Sequence, residues 1–123
     1  MSVIGEKQAD ITGEITSVTV TSEGNAVNLE TDVGPLGTVM ATVTFGPPVD
    51  SAAETGPIAI HGQIFGPEGE VRGFVSAGTW KKSGRHKWEI KHIPLATDGQ
   101  RMFVVDDFDL ATRSTNGAVY ALD

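Results

Sequence analysis

The feature that most constrains the fold is a β-type pattern of residues that recurs along the chain. It is clearest at Thr38–Phe45, where threonine residues alternate with apolar ones at a period of two. Segments of the same kind are separated by turn-forming pairs such as Gly46-Pro47 and Gly66-Pro67. No stretch repeats apolar residues at the spacing of three and four that marks a helix face. Short strands joined by tight turns indicate an antiparallel sheet.

Eight segments carry the strand pattern, a number that closes into a small barrel and leaves no sheet edge unpaired. The predicted strands are residues 11–21, 26–31, 38–45, 58–65, 71–80, 87–93, 101–110 and 118–122. We therefore predict an all-β protein, a single antiparallel meander of about eight strands closed into a small barrel. We expect residues 1–123 to form one β-barrel domain, with residues 1–10 as a loosely ordered lead-in.

Composition and charge exclude several classes of function. The sequence has no cysteine, which removes disulfides, thiolate nucleophiles and thiolate metal sites. Its net charge of -7 opposes binding to the phosphate backbone of a nucleic acid. No apolar run reaches the roughly 20 residues that a membrane span needs, and the amino terminus lacks the pattern of a secretory signal. We therefore expect an acidic, cytoplasmic protein without a nucleic-acid or membrane partner.

Sequence motifs for cofactors and metals are absent. No motif for nucleotide binding, a nucleophilic serine or a zinc-binding helix is present. The three histidines are too far apart along the chain to form a metal pair on one strand face. The acidic run at residues 106–109 lacks the glycine and glutamate of a calcium loop, and its successive side chains point to opposite faces of a strand. We therefore expect neither a metal nor a cofactor.

Two-residue turns fix which residues lie opposite one another in a hairpin, and thereby which face of each strand is inside. If residues 83–84 are such a turn, Ala77 lies opposite Ile90, and if residues 98–99 are the next, Ile90 lies opposite Asp107. These registers define a predicted inward face that consists of Val71, Gly73, Val75, Ala77, Trp88, Ile90, His92, Phe103, Val105 and Asp107. Its glycine and alanine suit a crowded barrel interior.

The opposite face of the same strands is predicted to point outward. It carries a cross-strand ion pair between Lys91 and Asp106. It also carries three large apolar side chains, Phe74, Trp80 and Ile93. A cluster of large apolar groups on an outer face is typical of an interface between protein chains. We therefore expect a homo-oligomer.

The predicted inward face also carries the candidate site. A carboxylate near an imidazole in an apolar cavity orients one imidazole tautomer and shifts both pKa values, so His92 and Asp107 are the candidates for catalysis. The predicted ligand-binding residues are Trp88, Ile90, His92, Phe103, Val105 and Asp107. A hydrogen-bonded core histidine is the alternative explanation for His92.

Part of the sequence resembles a known group of small barrels. The resemblance lies within residues 73–109, in the runs AGTW at 77–80, HKWEI at 86–90 and DG at 98–99, which are spaced as in a β-meander. In this pattern the chain is similar to the barrels grouped with allene oxide cyclases and lipocalin-like proteins. The resemblance implies an eight-stranded barrel, often oligomeric, whose interior holds an apolar small molecule or steers a cyclisation. It carries over no catalytic residue.

Three functions are open on this reasoning, and the residues do not decide whether the protein is an enzyme. The first is a module that binds a small apolar molecule in its interior, with His92 and Asp107 as polar anchors. The second is a cofactor-free isomerase, cyclase or hydrolase that uses the same two residues as acid and base. The third is a filled barrel that acts as an oligomeric structural or interaction domain. The volume of the interior separates the third from the others.

Overall fold

The computed structural model describes residues 3–96, 99 and 101–122. The strands follow one another in chain order, each antiparallel to the next, and β1 pairs with β8 to close the sheet into a barrel. The strands are β1 Ile4–Thr21, β2 Gly24–Asp32, β3 Thr38–Phe45, β4 Thr55–Phe65, β5 Val71–Gly84, β6 Lys87–Ala96, β7 Met102–Asp109 and β8 Ser114–Leu122. One turn of 3₁₀ helix, Gly34–Leu36, joins β2 to β3. The prediction of an all-β antiparallel meander closed into a barrel is confirmed.

Most strands are longer than the sequence pattern predicts. β3 coincides with the predicted segment, whereas β1 begins at Ile4. Residues 4–10, for which we expected a loosely ordered lead-in, therefore belong to the first strand and pair with β8. Alternation is hard to recognise in this segment because Ala9, opposite Val119, is its only buried side chain.

The turn between β5 and β6 sets a register that differs from the predicted one. The turn residues are Arg85 and His86, and one residue bulges out of β5 just before them. Trp80, rather than Ala77, therefore lies opposite Ile90. Because the shift is by an odd number of residues, the other face of β5 points inward. The prediction is wrong for the residues of β5 that are exposed instead, which are Val71, Gly73, Val75 and Ala77.

The register between β6 and β7 differs from the predicted one by a single residue. Ile90 lies opposite Asp106 rather than Asp107. The predicted turn residue Asp98 lies outside the described residues. A shift of one residue exchanges the inward and outward faces of β7. The buried side chains of this strand are therefore Val104, Asp106 and Phe108. The predicted inward orientation is wrong for three residues of this strand, namely Phe103, Val105 and Asp107.

The outer face of β5 and β6 is correspondingly different from the predicted one. Of the three large apolar residues expected there, only Ile93 is exposed, because Trp80 is buried and Phe74 packs against the core. The predicted ion pair between Lys91 and Asp106 is wrong, because Asp106 points into the barrel. Lys91 lies opposite Val105 instead, and its Nζ is 3.6 Å from a carboxylate oxygen of Glu89.

The barrel interior divides into two parts. The aromatic half, defined by Phe45, Trp80, Trp88 and Phe108, lies toward the end that holds the β1–β2 and β3–β4 connections. The polar half, defined by Ser76, His92 and Asp106, lies toward the end that the 3₁₀ turn covers. Fully buried aliphatic side chains, including Val43 and Ile90, pack between them. Among the described residues, no helix has the length and apolar character that crossing a membrane requires.

Candidate functional site

A cavity of about 100 Å³, the polar cavity, lies in the polar half of the interior. Inward side chains from every strand of the barrel contribute to its wall, and most of them are aliphatic or aromatic. The residues that bring polar side-chain atoms to this wall are Thr31, His92 and Asp106. An engineered cavity of about 150 Å³ binds benzene, so the polar cavity has room for about four or five non-hydrogen atoms.

His92 points into the polar cavity from β6, opposite Gly78 of β5. A Cβ atom on residue 78 would overlap the backbone carbonyl oxygen of Lys91, so only glycine allows this close approach. His92 is 8% exposed, and its ring nitrogen Nδ1 lies 2.6 Å from Ser76 Oγ. Burial lowers the pKa of His92 to about 4, so the imidazole is uncharged at neutral pH. Because Ser76 occupies Nδ1, Nε2 is the ring nitrogen available to a ligand.

Asp106 points into the same cavity from β7, opposite Gly117 of β8. A Cβ atom on Gly117 would lie 2.9 Å from Asp106 Oδ1, so the carboxyl uses space that glycine leaves free. Asp106 is 4% exposed, and its Oδ1 has no hydrogen-bond partner among the described residues. Burial, and after it the charge of Asp107, raises the pKa of Asp106 to about 8, against a backbone hydrogen bond from Asp107. The carboxyl therefore keeps its proton at neutral pH.

His92 and Asp106 are diagonal neighbours on adjacent strands. Val104 lies opposite His92, and Asp106 is the next inward residue of β7. Their surroundings move the two pKa values in opposite directions, which leaves an uncharged acid and an uncharged base on one cavity wall. Such a pair can donate one proton and accept another without placing a net charge in an apolar cavity.

A larger cavity of about 270 Å³, the aromatic cavity, lies in the aromatic half. Phe45 contacts the rings of Trp80, Trp88 and Phe108 at centroid distances of 6.4, 6.4 and 5.7 Å. Trp80 Nε1 donates a hydrogen bond of 2.9 Å to the carbonyl oxygen of Gly46, so its polar atom is paired. Among the described residues, no ionisable side chain lines this cavity.

The structure separates the residues that the sequence analysis grouped as one site. Ile90 and His92 line the polar cavity, whereas Trp88 lines the aromatic cavity. The remaining candidates lie on the outer face of β7, and these are Phe103, Val105 and Asp107. Asp107 is exposed, so the acid beside His92 is its neighbour Asp106.

Sequence reasoning missed Asp106 and Ser76 as members of the site. A pattern that could have indicated Asp106 is the presence of glycine inside two strands. Glycine within a strand marks a position where another group approaches closely. Gly78 lies opposite His92 and Gly117 opposite Asp106, so each glycine marks one of the two ionisable residues.

Comparison with protein-family models, with curated proteins and with solved structures finds no match for this chain. The resemblance to allene oxide cyclase-like and lipocalin-like barrels is therefore supported in architecture only, by the closed antiparallel barrel of eight strands. In the part of the chain that the structure describes, no three histidine, aspartate or glutamate side chains form a group that could hold a metal ion.

Proposed function

We propose that the barrel binds one small, predominantly apolar molecule in the polar cavity. The observation that carries this proposal is the buried carboxyl of Asp106, whose Oδ1 is unpaired among the described residues in a mostly apolar cavity. A buried polar atom without a partner costs about 1–3 kcal/mol, which a hydrogen-bonding ligand recovers. Packing gives no reason to retain a carboxyl at this position, because leucine has a similar shape and no polar atom to bury.

The aromatic cavity is the larger of the two but supports this role less well. A binding site needs a few well-placed polar groups to fix the orientation of its ligand. The indole nitrogen of Trp80 is already paired with Gly46. The contacts of Phe45 with its neighbouring rings are those of a packed core, so we assign the aromatic half to stability.

Native mass spectrometry of the protein purified from its own host tests the proposal. We expect an additional mass on the folded protein that is released on denaturation. Val104→Phe should remove this mass, because Val104 lines the polar cavity and a phenyl ring would fill it. Val105→Phe, on the outer face of the same strand, is the matched control and should retain it. Equal ligand content in the two variants, or no additional mass in the wild type, would contradict the proposal.

A second candidate function is cofactor-free acid–base catalysis on a carbonyl compound, and the opposite pKa shifts of His92 and Asp106 favour it. In such a reaction, Asp106 protonates the carbonyl oxygen while His92 Nε2 takes a proton from the adjacent carbon, which yields an enol, an imidazolium at His92 and a carboxylate at Asp106. Reversal in deuterated water returns a deuteron to that carbon.

Deuterium incorporation into cyclobutanone measures this second candidate. We expect the wild type to accelerate incorporation, and His92→Gln and Asp106→Leu to abolish the acceleration. Asp50→Leu, which changes an exposed carboxyl in the connection between β3 and β4, is the control and should leave the rate unchanged. A wild-type rate equal to that of the Asp106→Leu variant would leave binding as the function.

We also propose that the chain self-associates, through residues other than those the sequence analysis selected. The outer face of β5 and β6 exposes Val71, Val75, Ile93 and Leu95. Val75 lies opposite Leu95, and Ile93 lies opposite Ala77, the next exposed residue of β5, so Val75, Ile93 and Leu95 form one apolar patch. Light scattering should find an oligomer that Val75→Lys dissociates. A wild-type monomer at micromolar concentration would contradict self-association.

A further inference from the structure

We propose that the molecule bound in the polar cavity is uncharged and presents a carbonyl oxygen that accepts a hydrogen bond from Asp106. This inference rests on the proposed function and adds the chemical class of the ligand. It follows from three properties of the cavity wall: which groups on it carry charge, which polar atoms on it are already paired, and how much space it encloses.

The first property is that the wall offers no partner for a charged ligand. Among the described residues, His92 and Asp106 are the ionisable side chains that line the cavity. A carboxylate ligand would need a protonated His92 as its partner, and an amine would need an ionised Asp106. Both residues are buried, and burial disfavours the charged form of each. Burying an unpaired charge costs more than a small ligand can recover.

The second property is that the wall presents a free hydrogen-bond donor at Asp106, next to His92 Nε2. The hydroxyl of Thr31 donates to the carbonyl oxygen of Val39 at 3.4 Å, and His92 Nδ1 is occupied by Ser76. A protonated carboxyl carries one O–H, and Asp106 Oδ1 has no hydrogen-bond partner among the described residues. A carbonyl oxygen accepts this hydrogen bond and brings no additional donor that would itself need a partner.

The third property is size, since a volume of about 100 Å³ admits one polar atom and a few carbons.

The groups that face Asp106 from the neighbouring strands do not change its assignment as an uncharged donor. On β6 they are Ile90, opposite it, and the uncharged His92; on β8 the residue opposite is Gly117. Asp107 follows Asp106 on its own strand, and its charge favours the protonated form.

Two probes of matched shape test the inference. Cyclobutanone and methylenecyclobutane share a four-membered ring and differ in an exocyclic oxygen against an exocyclic CH₂ group. Each is titrated into the protein while the methyl resonances of Val104 and Val119, both on the cavity wall, are followed. The ratio of the two dissociation constants measures the preference for the carbonyl oxygen. Comparing this ratio between wild type and Asp106→Leu cancels the different cost of removing each probe from water.

We expect the preference for cyclobutanone to fall about tenfold in Asp106→Leu, which corresponds to one hydrogen bond. Asp106→Asn retains an N–H donor and should keep the preference at every pH. The wild type should lose it at about pH 9.5, above the pKa of about 8, because a carboxylate does not donate. Asp50→Leu, which removes an exposed carboxyl in the connection between β3 and β4, is the control and should behave as wild type.

An equal preference in wild type and Asp106→Leu, with both probes bound, would overturn the inference and leave the proposed function standing. If neither probe shifts Val104 or Val119 in the wild type, the proposed function itself is wrong. Should Asp106→Leu fail to fold, the pH dependence of wild type and Asp106→Asn decides the inference. A wild-type preference that persists unchanged at high pH would overturn it.

Discussion

The two halves of the barrel interior differ in chemistry although the same strands build both. The aromatic half holds the larger cavity, about 270 Å³, yet its rings contact one another and its indole nitrogen is paired. The polar half holds a smaller cavity, about 100 Å³, whose wall includes a buried carboxyl oxygen without a partner among the described residues. The comparison teaches that the polar atoms of a cavity, more than its volume, distinguish a binding site from imperfect packing.

The largest expected effect belongs to the aromatic half. Phe108 is 2% exposed and packs against Phe45, so Phe108→Ala should lower the free energy of unfolding by about 3–5 kcal/mol. Phe103→Ala, on the half-buried outer face of the same strand, is the control and should cost less. Urea denaturation measures both. A loss below about 1 kcal/mol for Phe108→Ala would remove the aromatic half as the source of stability.

The second expected effect tests the close approach that places His92 in the polar half. Gly78→Ala should cost about 3 kcal/mol, since the added methyl group overlaps the backbone at Lys91 and lies 2.8 Å from His92 Cβ. Gly73→Ala, on the exposed face of the same strand, meets no atom within 4 Å and should gain about 0.5–1 kcal/mol. If denaturation shows the same change for both variants, the glycine opposite His92 has no special role.

The third expected effect is a pH dependence that arises in the polar half. The folded state holds the Asp106 proton up to about pH 8 and the unfolded state releases it near 3.8, so this residue makes stability fall as pH rises between those values. His92 has the opposite sign: the unfolded state takes up a proton near pH 6.5 and the folded state only near pH 4, so stability rises between 4 and 6.5. From pH 4 to 6.5 the two contributions cancel.

Above pH 6.5 the contribution of Asp106 stands alone, and the free energy of unfolding should fall by roughly 2 kcal/mol up to pH 8. Denaturation at a series of pH values measures this decline. Asp106→Asn should abolish it, whereas Asp107→Asn, at an exposed position, should retain most of it. A wild-type profile that is flat from pH 6.5 to 8 would show that Asp106 is ionised in the folded protein at neutral pH.

The smallest expected effect concerns the hydrogen bond that orients His92. Ser76→Ala should cost about 1 kcal/mol, because Nδ1 loses its partner at 2.6 Å inside the barrel. Ser83→Ala, at an exposed position of the same strand, should change stability by less than about 0.5 kcal/mol. Nitrogen NMR of the imidazole should also find a changed balance of tautomers in Ser76→Ala. An unchanged tautomer balance would mean that Ser76 does not select the tautomer.

The strands were predictable from sequence because their determinants are local. Alternation and turn-forming residues lie within each segment, and the predicted strand at residues 38–45 matches β3. The inward faces were not predictable in the same way, because they depend on register. Ser83-Gly84 has the composition of a tight turn, yet the chain turns at Arg85 and His86, with His86 at a φ of 59°. A non-glycine residue with positive φ is uncommon, so the residue types favoured a turn at Ser83-Gly84 over the turn that forms.

The candidate site was predictable only in part, for the same physical reason. The face of β6 that carries His92 was placed correctly, because Trp88 and Ile90 make it the more apolar face. The acid was placed wrongly because Asp106 and Asp107 are adjacent and identical in type. A register shift of one residue exchanges them between the cavity and the solvent, and no property of either residue reveals the shift.

The most direct test of the account is a carbon NMR titration of the Asp106 carboxyl, with and without cyclobutanone. If this carboxyl is a buried, uncharged donor to a ligand in the polar cavity, its pKa is about 8 in the free protein. With cyclobutanone bound we expect a higher pKa, because the ligand stabilises the protonated form. A carboxyl that titrates near the ordinary aspartate value, or whose titration does not respond to cyclobutanone, would contradict the account.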